Sequence, residues 1–210
     1  MKKAIIAVTG MPGSGKSLFA EKLATLGYEQ MMLSRILKQR IESRSDQSIP
    51  SDYWRESLEI RKKHGDDILA RIAWDDLVAR NIYRAVFDGI RCLAEAAFLQ
   101  KKADIFLLVS IQAAPATRQR RLMSSSHGFY ENLERIAQLD AHELKLGIGN
   151  VISVSDIIIF LPEMDSDRLE TYLMSKANEI HMMLTSRGTD AKLKSDAHRS
   201  SYLQTLSTFI

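Results

Sequence analysis

The residues whose types and spacing most directly indicate chemistry lie near the start of the chain. Residues 10–17 follow the pattern G-x4-G-K-S. In such a loop the glycines let backbone N–H groups approach an anion, the lysine places a cation against β- and γ-phosphates, and the serine hydroxyl ligates Mg²⁺. The pattern predicts a site for a nucleoside triphosphate such as ATP, formed by Gly10, Met11, Pro12, Gly13, Ser14, Gly15, Lys16, Ser17 and Leu18.

A second candidate motif is Asp88-Gly89-Ile90-Arg91, which follows a short apolar run. An acidic residue at the carboxyl edge of a parallel sheet faces the phosphates and their metal ion, so Asp88 is expected to hold Mg²⁺ together with Ser17. Arg91 would then reach an anionic group in the same crevice. The alternative is that Asp-Gly forms only a turn and that Arg91 is solvated. We favour the first interpretation and assign Lys16, Asp88 and Arg91 as the candidate catalytic residues.

These motifs need a parallel sheet to bring them together, and the alternation of short apolar runs with longer helical patterns predicts one. The fold class expected is α/β: a three-layer P-loop NTPase fold with five parallel strands and helices on both faces. The strands are expected at residues 4–9, 29–33, 84–88, 104–110 and 156–160, and helices between the second and third strands at 34–44, 52–64 and 66–81, with Asp52 and Asp66 as plausible N-caps.

The domain organisation expected is one P-loop domain over residues 1–184. It would carry a helical insertion at about 34–81 and a lid at about 116–146, the lid bearing Arg118, Arg121 and Arg135. Residues 185–210 are polar without clear periodicity until their apolar end, and a flexible tail is expected there. The pair His142-Glu143 lies in a charged helical pattern, so a solvated face is favoured over an acid/base role.

Composition narrows the classes of protein further. The 210 residues carry a net charge of only +3 and are 45% hydrophobic, as in an ordinary globular protein, so no nucleic-acid partner is expected. One cysteine, Cys92, excludes an internal disulfide framework and a cysteine-only zinc site, and it is expected to be a small buried or half-buried filler. No run is long enough to span a membrane, and a cytoplasmic location is expected.

Taken together, these motifs make the sequence resemble the nucleoside monophosphate kinases. Residues 88–91 are similar to the D-G-x-P-R motif of adenylate kinases without its proline, and the N-K-x-D and D-x-x-G strings typical of regulatory GTPases do not occur. The chain looks closer still to a group of adenylate-kinase-like proteins and to kinase-like halves fused to deoxycytidylate deaminases. The matching stretches are residues 10–17, 58–61 with 65–70, 87–91, and 140–144 with 147–149.

The resemblance implies a phosphotransferase that uses ATP and Mg²⁺ and acts on a small nucleotide. It implies that Arg61 and Arg91, and less directly Arg35, hold the acceptor's phosphate, while lid arginines offset charge on the transferred group. One departure is Leu139, where the look-alikes carry an arginine before the aspartate matched to Asp140; Arg135, one turn earlier, is a candidate replacement. For each arginine taken alone, a solvated surface role stays open.

Three functions remain open at this point. We favour a nucleoside or deoxynucleoside monophosphate kinase. Dephospho-coenzyme A kinases share the plan but carry an aspartate after the second strand, whereas here that region reads Met32-Leu33-Ser34-Arg35. This favours a phosphate acceptor, which needs no strong base. The alternatives are a nucleotide sensor or accessory ATPase, with a homodimer or partner chain contacted through the insertion or tail, and a dephospho-coenzyme A kinase-like enzyme. Trp74 is expected in the core, although an aromatic side chain can also stack on a base.

Overall fold

The computed structural model describes residues 2–42, 53–124 and 132–186 of the chain. Its centre is one sheet of five parallel strands in the order β2-β3-β1-β4-β5. The strands are β1 (Ala4–Thr9), β2 (Glu29–Met32), β3 (Arg84–Asp88), β4 (Ile105–Ala113) and β5 (Ile157–Leu161). Since all strands are parallel, their carboxyl ends meet at one edge, and the loops that leave this edge form the site.

Helices connect the strands and cover both faces of the sheet. Those described are α1 (Lys16–Thr25), α2 (Leu33–Glu42), α3 (Tyr53–His64), α4 (Ile68–Ala79), α5 (Leu93–Lys102), α6 (Pro115–Met123), α7 (Leu133–Lys145), α8 (Ile148–Ser153) and α9 (Ser166–Ser186). None of the helices in these ranges is both long enough and apolar enough to cross a bilayer.

Two apolar clusters form the core, one on each face of the sheet. On one face Ile6 and Val8 of β1 pack with α1 and α9 through residues such as Phe19 and Leu173. The opposite face packs against α2, α4, α5 and α8. Trp74 belongs to this second cluster, where it is buried edge-on against the ring of Phe98, as expected for a core residue. Because both faces are covered, the central strands are mostly apolar, as is typical of parallel strands.

The predicted fold class is confirmed, and β1 and β3 have the expected bounds. Several details of the prediction were wrong. The strand β2 ends at Met32, one residue earlier than expected, and β5 spans Ile157–Leu161, one residue later than expected. The strand β4 continues to Ala113, beyond residue 110, because its last residues pair with β5 in register Ile111 with Ile159 and Ala113 with Leu161. The N-cap of α4 is Asp67, not Asp66. The short helix α8, whose N-cap is Gly147 with φ of 94°, was not predicted. The other expected N-cap, Asp52, lies outside the described residues, as does most of the predicted tail.

Candidate functional site

The loop of residues 10–17, here called the P-loop, joins the end of β1 to the start of α1. Gly13 and Gly15 have φ of 74° and 98°, a left-handed conformation that side chains with a Cβ rarely adopt. Gly15 is the N-cap of α1, and no side chain caps the helix there. The first-turn N–H groups of an α-helix lack intrahelical partners and lie at the positive end of its dipole. The loop therefore has the backbone geometry of a phosphate site.

Asp88 lies beside the P-loop because β3 pairs with β1 in register Val8 with Asp88. The backbone N–H groups of Gly89 and Ile90 both donate to the carbonyl oxygen of Val8, which fixes the loop after β3 against the end of β1. The Asp88 side chain is only 3% exposed, and its Oδ1 atom has no hydrogen-bond partner among the described residues. A buried carboxylate oxygen without a donor is costly, and a cation would satisfy it.

Lys16 of the P-loop is half-buried, and its charge interacts with that of Asp88. Burial lowers the pKa of Lys16, and the charge of Asp88 partly opposes this effect; Arg91, Glu143 and Arg118 act on it as well. These charged groups therefore lie close enough to Lys16 to influence its charge. An Mg²⁺ ion would suit the oxygen donors present, which are the Asp88 carboxylate and the hydroxyl of Ser17 in the first turn of α1.

Two arginines of α6 contact backbone carbonyl oxygens of the P-loop. Nη1 of Arg118 donates to the carbonyl oxygen of Pro12 at 2.9 Å, and the Arg118 guanidinium also makes two bonds to the carboxylate of Asp140, at 2.9 and 2.7 Å. Nη1 of Arg121 lies 3.4 and 3.3 Å from the carbonyl oxygens of Gly13 and Ser14. Its Nη2 is buried without a partner among the described residues, and burial lowers the pKa of Arg121.

Arg91 is bound by a carboxylate of α7. Its Nε donates to both oxygens of Glu143, at 2.9 and 2.8 Å, and the Glu143 side chain is buried. The expectation that Glu143 lies on a solvated face was therefore wrong. The charged pattern of α7 indicated a surface helix, but one side of this helix packs towards the P-loop crevice. The spacing of Asp140 and Glu143, three residues apart, places both on that side.

Arg61 of α3 is also buried, at 3% exposure, and it pairs with a carboxylate that sequence analysis did not select. Its Nη2 donates to Oε1 of Glu95 at 2.8 Å. The other oxygen of Glu95 accepts from the backbone N–H groups of Arg91 and Cys92, at 2.7 and 3.4 Å. Glu95 thus caps α5 and joins Arg61 to the loop that carries Arg91. The capping-box position of Glu95, three residues after Cys92, was the signal available in the sequence.

The other predicted site residues lie elsewhere. Arg35 is an exposed residue of α2 and lines a cavity of about 590 Å³ beside the edge strand β2, with Ile36, Ile72 and Asp76 among its neighbours in the wall. Arg135 is half-buried in the first turn of α7, where its backbone N–H donates to Asn132. Cys92 is buried, as expected.

Comparison with protein families and solved structures identifies the family and the fold to which this site belongs. The family model described as "AAA domain" matches residues 6–138. A UPF0200 protein of Saccharolobus islandicus is 35% identical over 161 residues, which cover 74% of this chain and 82% of that protein. A UPF0200 protein of Hyperthermus butylicus is 28% identical over 185 residues, covering 88% and 96%.

Solved structures with a similar fold include TT1252 from Thermus thermophilus, with a TM-score of 0.58, 18% identity and coverage of 87% of this chain and 99% of that one. Shikimate kinase from Acinetobacter baumannii, solved in complex with shikimate, aligns with a TM-score of 0.53 and 17% identity over 91% and 96% of the two chains. At these identities the likeness concerns the fold alone, which is P-loop kinase-like. The chain belongs to the UPF0200 family and contains an AAA domain with a P-loop kinase-like fold.

Proposed function

We propose that this protein is an ATP- and Mg²⁺-dependent phosphotransferase that acts on a nucleoside or deoxynucleoside monophosphate. The observation that carries the proposal is the set of buried charged atoms around the P-loop that lack partners within the described ranges, above all Asp88 Oδ1 and Arg121 Nη2. Each would be satisfied by a metal–triphosphate complex: the carboxylate oxygen by Mg²⁺ and the guanidinium nitrogen by a phosphate oxygen.

On the donor side, the division of roles follows from the contacts. The P-loop backbone and Lys16 would bind the β- and γ-phosphates, and Ser17 and Asp88 would hold Mg²⁺. Arg121 lies against the carbonyl oxygens of Gly13 and Ser14, where its charge would offset that of the transferred phosphoryl group. Mg²⁺, when bound, would neutralise charge along the phosphates, and the side chains would hold the phosphates in position and add positive charge of their own.

On the acceptor side, Arg61 and Arg91 support a second phosphate site. Both are held by Glu95, Arg61 through its guanidinium and Arg91 through its backbone N–H. Arg61 Nε is buried and has no partner among the described residues. A phosphate acceptor also agrees with the end of β2, where Met32-Leu33-Ser34-Arg35 offers no carboxylate to take a hydroxyl proton.

The test is transfer of labelled γ-phosphate from ATP to a panel of nucleoside and deoxynucleoside monophosphates, with dephospho-coenzyme A and a nucleoside included. Transfer to one monophosphate is expected. Lys16→Met should lower the rate by about 100-fold or more, as removal of one preorganised charge-stabilising donor does. Lys22→Met, on the same helix with its ammonium paired to Glu170, is the matched control and should retain activity. Full activity in Lys16→Met would sink the proposal.

A nucleotide sensor or accessory ATPase is the second candidate, and one observation favours it. The proposed acceptor arginines Arg61 and Arg91 are each neutralised by a carboxylate, so the acceptor side carries less uncompensated positive charge than a phosphate site commonly needs. The same panel separates the two functions. ATP hydrolysis that no monophosphate accelerates supports the sensor, and label found only on dephospho-coenzyme A or the nucleoside supports a hydroxyl kinase.

A further inference from the structure

The helix α7 contacts both halves of the proposed site through two carboxylates on one side. Asp140 makes two hydrogen bonds to the Arg118 guanidinium, and Glu143 receives both of its bonds from Nε of Arg91. The two acids are three residues apart, so a rise of 1.5 Å per residue separates them by about 4.5 Å along the helix axis.

Arg118 and Arg91 connect α7 to different halves of the proposed site. Arg118 donates to the carbonyl oxygen of Pro12, which lies in the P-loop itself. Arg91 lies in the loop after β3, and its backbone N–H donates to Glu95, the carboxylate that also binds Arg61. A continuous chain of charge-assisted contacts therefore runs from the P-loop through α7 to the two proposed acceptor arginines.

These contacts are largely shielded from water, which makes them suited to transmit displacement. Arg118 and Glu143 are each 5% exposed, and the side chains of their partners Asp140 and Arg91 are 21% and 16% exposed. An ion pair shielded in this way resists separation, whereas a fully exposed pair exchanges readily with water. A displacement of the Arg118 side chain is therefore expected to carry Asp140 and the helix with it. Since α7 is one regular helix, the carboxylate of Glu143 is expected to move together with Asp140.

We infer that Asp140 and Glu143 are positioning residues that couple the two halves of the site: occupation of the P-loop shifts Arg118, and α7 transmits the shift to Arg91. This inference rests on the proposed function for the identity of the two halves. The coupling is reciprocal, so a ligand held by Arg91 would change the affinity of the P-loop for its ligand by the same factor.

The test uses the Nε–H resonance of Arg91 in the full-length ¹⁵N-labelled protein, assigned by its loss in Arg91→Lys. Addition of Mg²⁺ with the non-hydrolysable analogue AMP-PNP should displace this resonance in the wild type. In Asp140→Asn most of the displacement should be lost, and Asp140→Glu, which keeps the charge one methylene further out, should restore part of it. Glu134→Gln, an exposed carboxylate on the same helix, is the matched control and should leave the displacement unchanged.

The outcomes separate this inference from the proposed function. Binding of AMP-PNP with the same displacement in the wild type and Asp140→Asn would mean that the nucleotide acts on Arg91 directly, and would overturn the coupling alone. Binding without any displacement in the wild type does the same. Failure of AMP-PNP to bind overturns the proposed function and the coupling together. If Asp140→Asn does not fold, Asp140→Glu provides the comparison, with a reduced displacement expected.

Discussion

Replacement of Glu95 by glutamine tests the central buried ion pair of the site. The carboxylate uses both oxygens as acceptors: Oε1 receives Nη2 of Arg61, and Oε2 receives the backbone N–H groups of Arg91 and Cys92. Glutamine has only one oxygen. Whichever way its amide turns, an NH₂ group meets either the Arg61 guanidinium or the N–H groups of the loop, so one set of donors loses its acceptor.

The expected loss of stability follows from burial. Glu95 is 0% exposed and Arg61 is 3% exposed, so Arg61 in Glu95→Gln would be a buried cation without its counter-charge. Removal of one partner from a buried pair costs about 3–5 kcal/mol. Loss of the helix-capping contact is included in this range and not added to it, because the same carboxylate makes both contacts. For a denaturant slope near 2 kcal/mol/M, the urea midpoint should fall by about 1.5–2.5 M.

Urea denaturation followed by circular dichroism measures this change. Glu163→Gln is the matched control, since Glu163 pairs with Arg120 on the surface, and its midpoint should not change measurably. The double variant Arg61→Met with Glu95→Gln should be more stable than Glu95→Gln alone, because no buried charge is then left unpaired. A midpoint within error of the wild type for Glu95→Gln, or a double variant that only adds the two single losses, would refute the buried-pair argument.

Two further predictions concern the loops around the site. Gly13→Ala would place a Cβ 2.7 Å from the carbonyl oxygen of Arg118. Given an overpacking cost of about 1–3 kcal/mol, calorimetry should show an affinity for Mg²⁺·ATP about 5- to 150-fold weaker. Gly27→Ala, with φ of 87° and no atom within 4 Å of the new Cβ, has only the backbone strain and should bind normally; equal affinities in the two variants would contradict this explanation. Burial raises the pKa of the Cys92 thiol. A thiol reagent at pH 8 should therefore label Cys92 slowly in the folded wild type and faster in Glu95→Gln. Labelling of the folded wild type at the rate seen in urea would be inconsistent with a buried thiol.

The sheet and the P-loop could be predicted from sequence because their signals are local. The glycines of residues 10–17 require backbone conformations that few other residues adopt, and the apolar runs of β1 and β3 are bounded by clear breaks. The end of β4 could not be predicted in the same way. Gln112 interrupts its apolar run, and beyond Ser110, which still pairs with Thr9 of β1, the described pairing of β4 is with β5 alone.

The side-chain partners in the site could not be predicted, because they join residues far apart in sequence. Arg61 and Glu95 are separated by 34 positions, and Arg91 and Glu143 by 52. A charged helix such as α7 has the same composition whether its acids face water or a buried guanidinium. What distinguishes the two cases is the packing of α6 and α7 over the P-loop, which depends on the whole chain.

The carboxylates that pair with the arginines of the site need a reason beyond stability. Such pairs add little net stability over apolar side chains of similar volume, so stability alone does not explain Glu95, Glu143 and Asp140. Ordering a long arginine side chain costs up to about 2 kcal/mol of rotamer entropy. A carboxylate that already fixes the guanidinium removes that cost from ligand binding, and the five N–H donors of an arginine exceed what one carboxylate can accept. We therefore expect these acids to lower the charge of the site while keeping its arginines preorganised, a combination that favours turnover over tight retention of phosphate.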